Sequence, residues 1–311
     1  LSRLGFGRVS ALEPRRLLSD AELQLFPTRS EERAVREVGL VVADGAGTVW
    51  NQVDTILSLP TIQEIAARFG TVDVLLARYA SQNFDFFESR VTAFPYEEHQ
   101  RNLETVLAVR PRVVVPGSAG FKFAGDHAWL NRYLFPVSAE RFVADLGRLE
   151  PGMRSIMLQP GDVVEVDGSE VKVHRQTSPF CRMVRDDTEL LHFDPTAPIP
   201  PLHDPNPEGY AEEEMTTTIA ACLHALHRYA AEHAGRRLTL ADRYRRAGAV
   251  YEIAVMFPSG TRRWQIDFRR DPPGLEAGAA AEANVVHSIA ASALTDWIRR
   301  RRSYFSTRAY S

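Results

Sequence analysis

The side chains best suited to chemistry in this sequence stand where apolar runs end. Asn51 and Asp54 follow the run that begins at Thr48, and a carboxylate at a strand end can complete a metal site whose other ligands are imidazoles. The amide of Asn51 could orient such a ligand, or it could satisfy local backbone. Asp54 is therefore a candidate metal ligand, and capping of the following turn is its structural alternative.

Two further candidates follow the apolar run 112–116. Ser118 belongs to the small-residue sequence Gly-Ser-Ala-Gly, and His127 lies in the loop after it. His127 could reach the mouth of the site of Asn51 and Asp54, and both residues are candidates for contact with a cofactor there. The alternatives are structural, because small residues make tight turns and a single loop histidine is commonly solvated.

The remaining histidines and acidic clusters are predicted to be structural. His224 and His227 share one helix face at i and i+3, with His233 further on, but nothing identifies the third and fourth ligands that a metal would need. Three aspartates and a histidine near residue 190 could form a carboxylate–imidazole cluster, but turn composition before a proline explains them equally well. They are Asp186, Asp187, His192 and Asp194.

The elements that must position these residues alternate between strand and helix patterns. Two β-branched runs surround the turn 44–47 and predict a hairpin over 38–43 and 48–54. A helix over 60–70 follows, with Pro near its start and Gly at its end. Further segments predict a strand at 72–77, a helix at 96–109 and a strand at 112–116. This succession indicates helices layered on a sheet, an α/β class.

The chain changes character after about residue 159. A short hairpin is predicted at 163–173, and the proline-rich stretch 195–207 predicts a linker. Beyond it, the patterns predict a helix over 210–234, a hairpin over 250–268 and a final helix over 288–300. We therefore predict two domains, residues 1–194 and a smaller α+β module at 208–311.

Composition narrows the classes of function. The chain has 311 residues and a formal net charge of −3, which gives no electrostatic case for nucleic acid or an anionic membrane as the main partner. Cys181 and Cys222 are too few for a disulfide scaffold, and this favours a reducing cytoplasm. No apolar run approaches the ~20 residues of a membrane span. The chain also lacks the G-x-S-x-G, P-loop and G-x-G-x-x-G motifs.

Five segments of the first half of the chain carry a family resemblance: Asn51-Gln52-Val53-Asp54, 72–76, 113–120, Trp129-Leu130-Asn131 and Phe135-Pro136. Together they resemble the second half of the metallo-β-lactamase fold, and more narrowly the branch of CMP-N-acetylneuraminate hydroxylase. The resemblance implies a partial αββα metallo-β-lactamase-like domain followed by the smaller module, which is similar to modules appended to that branch and, less closely, to sterol-carrier-protein domains.

The resemblance also implies a function and a missing part. Its H-x-H-x-D-H metal cluster is absent here, so we expect a fragment whose preceding region would carry metal ligands and a Rieske 2Fe-2S cluster. It implies a monooxygenase-like enzyme with non-haem iron, or zinc, that hydroxylates a small organic substrate and has a possible electron-donor protein. Ser118 stands where the family commonly has a histidine, which disfavours an ordinary two-zinc hydrolase.

Two alternatives to the oxygenase stay open. The first is a hydrolase of an ester, lactone or phosphodiester that uses metal-bound hydroxide. The second is a metal-free binding or scaffold protein.

Overall fold

The structure is a computed structural model of mixed α/β class. It describes residues 5, 7, 11–31, 37–52, 54–86, 92–118, 122–123, 125–168, 170–181, 193–201 and 203–301, with only the backbone described at 118 and 125–127. The chain divides into two compact units, 1–196 and 197–311.

The N-terminal unit is built on a seven-stranded sheet whose spatial order follows the chain order. The first four strands pair antiparallel, and the β4–β5, β5–β6 and β6–β7 pairs are parallel. The carboxyl ends of β4, β5 and β6 therefore meet at one edge. The strands are β1 (Leu18–Asp20), β2 (Leu23–Arg29), β3 (Val38–Ala43), β4 (Thr48–Asn51), β5 (Val74–Arg78), β6 (Val113–Ser118) and β7 (Arg154–Ser155).

Helices connect the parallel strands. The predicted first helix forms because Ser58 caps its start, accepting a hydrogen bond from the backbone N of Thr61, and Gly70 ends it with φ 73°. The helices are α1 (Leu59–Phe69), α2 (Tyr96–Val109), α3 (Asn131–Leu134), which follows a 3₁₀ helix (Gly125–Leu130), and α4 (Ala139–Leu149). A separate two-stranded hairpin, β8 (Val163–Asp167) with β9 (Glu170–His174), matches the predicted one.

The core of this unit lies between the sheet and its helices. Trp50 of β4 and Leu75 of β5 are fully buried, and they share one cluster with Ile65 of α1 and Val106 of α2. Because a strand presents alternate residues to opposite faces, the side chains at 49, 74, 113 and 115 form a second cluster with the β8–β9 hairpin. Both faces of the parallel strands are therefore covered, which accounts for their continuous apolar runs.

The C-terminal unit is a four-stranded sheet in the order β12-β11-β10-β13, with β13 parallel to β10 and the other pairs antiparallel. Residues 288–290, predicted as helix, instead belong to β13, and the helix begins at Ala291. The elements are α5 (Glu212–His233), α6 (Leu240–Arg246), β10 (Val250–Phe257), β11 (Gly260–Asp267), β12 (Gly274–Ala277), β13 (Val285–Ala290) and α7 (Ala291–Ile298). No helix in the described ranges is long and apolar enough to cross a bilayer.

The end of the proline-rich stretch is tied to this unit. Asp204 accepts a hydrogen bond from the backbone N of Ser292 at 3.0 Å, in the first turn of α7, and a second one from the Ser292 hydroxyl. Asn206 exchanges two hydrogen bonds with the backbone of Tyr210, both at 2.9 Å. Residues 204–210 are therefore held against the C-terminal unit.

Candidate functional site

An apolar cavity of about 250 Å³ lies between the helices and the sheet of the C-terminal unit. Each strand sends alternate side chains toward the helices, so β10 and β13 contribute residues two apart. Helix α5 supplies Ile219, Cys222, Leu223, Leu226, Tyr229 and Ala230, and the two strands supply Tyr251, Ile253, His287 and Ile289. None of the described lining residues is Asp, Glu, Lys or Arg.

The cavity has an opening as well as a wall. Tyr229, Leu240 and Trp297 line it, yet they are 42%, 56% and 42% exposed. Side chains that face both a cavity and solvent frame its mouth. An apolar molecule can therefore enter past two aromatic rings and a leucine.

One polar pair interrupts the apolar wall. The phenol oxygen of Tyr251 lies 3.2 Å from Nδ1 of His287, and the Tyr251 ring stacks on that of Tyr244 with centroids 5.8 Å apart. Burial lowers the pKa of His287, so its imidazole is neutral at pH 7. Burial also raises the pKa of the Cys222 thiol, so the sulfur stays protonated. The cavity therefore offers weak, neutral hydrogen-bonding groups and no charge.

The sequence pattern predicted the helix face that lines the cavity, but it did not predict the cavity. Ile219, Leu223, Leu226 and Tyr229 have helical spacing, which indicated a helix face packed on a core. The same spacing serves a face that lines a cavity. Whether side chains meet or leave a space depends on residues from elements distant in the chain, and periodicity does not report this.

The predicted metal site belongs to the sheet edge of the N-terminal unit. Strand β4 ends at Asn51, earlier than predicted, because the backbone N of Thr55 donates to the carbonyl of Gln52 at 3.0 Å and closes a turn. Asp54 lies half-buried inside this turn. Asn51 is half-buried at the strand end, and Val53 falls outside the described residues.

Gln52 organises this edge, a role that sequence reasoning missed. It is 2% exposed; its side-chain nitrogen donates to the carbonyl of Thr55 at 2.9 Å, and its side-chain oxygen accepts from the backbone N of Arg78 at 3.0 Å. One amide thus joins the end of β4 to the end of β5. A buried glutamine directly after a strand was the available signal, since such a group must be paired.

Ser118 and His127 lie elsewhere along the same unit. Ser118 ends β6, and the register pairs it with Arg78, whereas Asn51 pairs with Leu76. Ser118 therefore lies two strands from Asn51, about 10 Å across the sheet, and further along the strand direction. His127 belongs to the 3₁₀ helix Gly125–Leu130. The backbone places Asn51 and Ser118 at one edge but not side by side.

The side chains that the structure describes do not form a complete metal site. Among the described residues, no group of three or more His, Cys, Asp or Glu side chains could hold a metal ion. Of the residues predicted here, only Asp54 is a carboxylate. The described part of the chain therefore does not fit a catalytic iron or zinc by itself.

An open cleft of about 760 Å³, lined by both charged and apolar side chains, lies at the carboxyl end of β5. Arg78 forms an ion pair there with Glu98 of α2, whose second oxygen accepts from the backbone N of Gln82 at 2.6 Å. Arg101 also lines the cleft and has no acidic partner among the described side chains. The cleft is near the predicted site, because Ile56, two residues after Asp54, lies in its wall.

Two of the three histidines on α5 have structural contacts. His227 Nε2 lies 2.9 Å from the carbonyl oxygen of Pro273, and His233 Nδ1 lies 3.0 Å from that of Tyr229. His224 is exposed. Asp194 accepts two hydrogen bonds from Thr196, as turn composition predicted. The residues 186, 187 and 192 lie outside the described part of the chain.

Comparison with known proteins gives little further information. No family model matches the chain, and no curated protein matches it. Among solved structures, a variant of the CmlA beta-hydroxylase is similar at 16% identity and a TM-score of 0.35, over 56% of this chain and 35% of that one. The chain thus spans about a third of the length of this solved structure. A family relationship remains a prediction from the sequence.

Proposed function

We propose that the C-terminal unit binds a small, uncharged, apolar molecule in the cavity between α5 and the sheet. The observation that carries this proposal is the lining, which is apolar apart from neutral groups and contains no described acidic or basic residue. An ionised head group inside it would lose its hydration with no opposite charge in return, and this is costly. An apolar ligand instead gains about 25 cal/mol for each Å² that it buries.

The volume sets the size of the ligand. A cavity of about 250 Å³ is slightly below the usual range of small-molecule sites. It accommodates a compact apolar molecule, or one end of a longer chain whose remainder passes out between Tyr229, Leu240 and Trp297. The Tyr251–His287 pair can hydrogen-bond one hydroxyl or carbonyl oxygen of the ligand.

The test is binding of the uncharged fluorophore N-phenylnaphthylamine by the 311-residue chain. Ala230 lines the cavity and is 1% exposed, so Ala230→Phe fills the space. Ala231, the next residue on the same helix, is exposed, and Ala231→Phe is the matched control. We expect saturable binding that Ala230→Phe reduces at least tenfold and Ala231→Phe leaves unchanged. Unchanged binding by a folded Ala230→Phe protein would contradict the proposal, and Cys222→Trp is a second filling variant.

For the N-terminal unit we propose that it forms part of a metal-dependent oxygenase. This proposal is based on the sequence resemblance. What supports it is that resemblance together with the meeting of the β4, β5 and β6 ends at one edge. The proposal assigns Asp54 as one metal ligand and Asn51, Ser118 and His127 as its neighbours. The other ligands, and a Rieske cluster with its electron donor, would have to come from outside the described residues. A hydrolase is the alternative for the same site.

Metal and acid-labile sulfide analysis tests this second proposal. The 311-residue chain should hold no stoichiometric iron or zinc after chelator treatment, because Asp54 lacks the imidazoles that a site needs. If it does hold metal, Asp54→Ala should remove it, while Asp44→Ala should not. Asp44 is the matched control because its carboxylate is already used by the backbone N of Ala46 and Gly47. Metal that survives Asp54→Ala would remove Asp54 from the site.

A further inference from the structure

The segment 235–240, which joins α5 to α6 and ends on the first residue of α6, is the part of the C-terminal unit next to the cavity mouth. Its last residue, Leu240, lines the cavity and is 56% exposed. Leu238, two residues earlier, is 78% exposed. We call residues 235–240 the mouth loop. It presents two leucines to solvent beside an opening that is already lined by Tyr229 and Trp297.

Leu238 also occupies an unfavourable backbone position. The backbone N of Thr239 donates to the carbonyl of Arg236, closing a turn in which Leu238 has φ 73°. At that turn position a positive φ favours Gly or Asn, and a branched apolar side chain there is disfavoured. Thr239 fixes the turn, because its hydroxyl donates to the carbonyl of His233 and accepts from the backbone N of Asp242. Leu238 therefore exposes an apolar side chain to water and adopts a backbone conformation that is unfavourable for leucine. Its side chain contributes little to the stability of the fold.

Positive charge surrounds the same loop. Residues 228–246 contain six arginines and two acidic residues, a net charge of +4 with histidine neutral, in a chain whose total is −3. Within the described residues, Arg246 pairs with Asp242 and Arg245 with Asp271. Four arginines of the segment have no acidic partner there. They are Arg228, Arg236, Arg237 and Arg243, all described.

We propose that the mouth loop docks the C-terminal unit on an anionic lipid bilayer, with Leu238 and Leu240 in the interface and Arg236 and Arg237 on the head groups. Exposed apolar side chains flanked by arginines match the two parts of such an interface. The charge complementarity favours a membrane with acidic phospholipids over a neutral one. Docking places the cavity mouth against the phase in which apolar molecules reside. The docking does not depend on whether the cavity holds a ligand.

The experiment is sedimentation of the full chain with phosphatidylcholine vesicles that contain or lack phosphatidylserine. We expect binding only to the anionic vesicles, weakening as salt is added. Arg236→Gln with Arg237→Gln should weaken it about 25-fold, because each arginine near an anionic surface contributes about fivefold. Arg101→Gln removes an exposed charge of the N-terminal unit, outside the mouth loop, and should leave binding within about twofold.

Leu238→Asn is the decisive variant, because asparagine tolerates a positive φ and keeps the turn while the apolar side chain is removed. Its thermal midpoint should equal or exceed that of the parent, and its vesicle binding should fall severalfold or more. Leu59→Asn, at another exposed leucine, is the control. Equal sedimentation with neutral and anionic vesicles, or unchanged binding by a folded Leu238→Asn protein, would overturn the proposal. A mouth loop that serves a protein partner would give no vesicle binding at all, and that result would overturn it too.

Discussion

The phenol oxygen of Tyr251 and Nδ1 of His287 lie 3.2 Å apart across adjacent strands of the C-terminal sheet. The two residues come from β10 and β13, which pair parallel although 36 positions separate them. They bring a titratable side chain into a wall that is otherwise apolar. Because the imidazole of His287 is largely buried there, the stability of the unit should be sensitive to pH.

His287 should destabilise the chain as the pH falls below about 6.5. Burial lowers its pKa in the folded state, so the unfolded chain takes up the proton first. Stability is then full above the unfolded pKa and decreases as the pH falls toward the folded one. Urea titrations at about pH 7 and about pH 5 should show a smaller loss for His287→Gln than for the parent.

His224 is the control for that experiment. It is exposed on α5 of the same unit, so His224→Gln should leave the pH dependence of the parent unchanged. An equal effect of the two substitutions would mean that burial of His287 does not control the pH response.

Gln52 should be necessary for the stability of the N-terminal unit. Gln52→Leu keeps a side chain of similar size but leaves the backbone N of Arg78 and the carbonyl of Thr55 without their partners. Two buried backbone groups that lose their bonds cost about 2–3 kcal/mol of the free energy of unfolding. Urea unfolding measures this. Gln63 is exposed on α1, and Gln63→Leu should change stability by less than about 0.5 kcal/mol.

The elements at this edge of the sheet differed in how far the sequence alone could predict them. Pro60 and Gly70 are local signals, and they predicted α1 within one residue at each end. The end of β4 depended on the turn closed by Gln52 and Thr55, in which Asp54 lies. Gln52, which closes that turn, also bonds to the backbone of Arg78, 26 residues away, and local composition does not report such a contact.

Long-range pairing limited the prediction of the C-terminal unit. Residues 285–290 form a strand because β10 offers them a parallel edge, not because their own sequence excludes helix. Ile289 was therefore assigned to a helix that begins two residues later. The cavity depended on this placement, since Ile289 and His287 reach it only from a strand. The hairpin of β10 and β11, joined by a short turn, was predictable from local patterns.

Asp204 should stabilise α7 from a distance in the chain. Its carboxylate accepts from the backbone N and the hydroxyl of Ser292, near the positive end of the helix dipole. Asp204→Ala should cost about 1–2 kcal/mol of the free energy of unfolding, and Asp204→Asn, which retains an acceptor, should cost less. Thermal unfolding of the three proteins measures the order. Glu232→Ala, at an exposed position on α5, should be neutral; equal losses at 204 and 232 would rule out a capping role.

Cys222 should report directly on whether the cavity is occupied. Its thiol lines the cavity, and burial raises its pKa, so little thiolate is present at neutral pH and alkylation is slow. Cys181 is exposed and should react first, which makes Cys181→Ser the background for measuring Cys222 alone.

In the Cys181→Ser background, N-phenylnaphthylamine should slow modification of Cys222 by iodoacetamide, as followed by mass spectrometry. Ala230→Phe should slow it without the fluorophore and abolish the further protection. If the fluorophore binds saturably but leaves the rate at Cys222 unchanged, it occupies a different site.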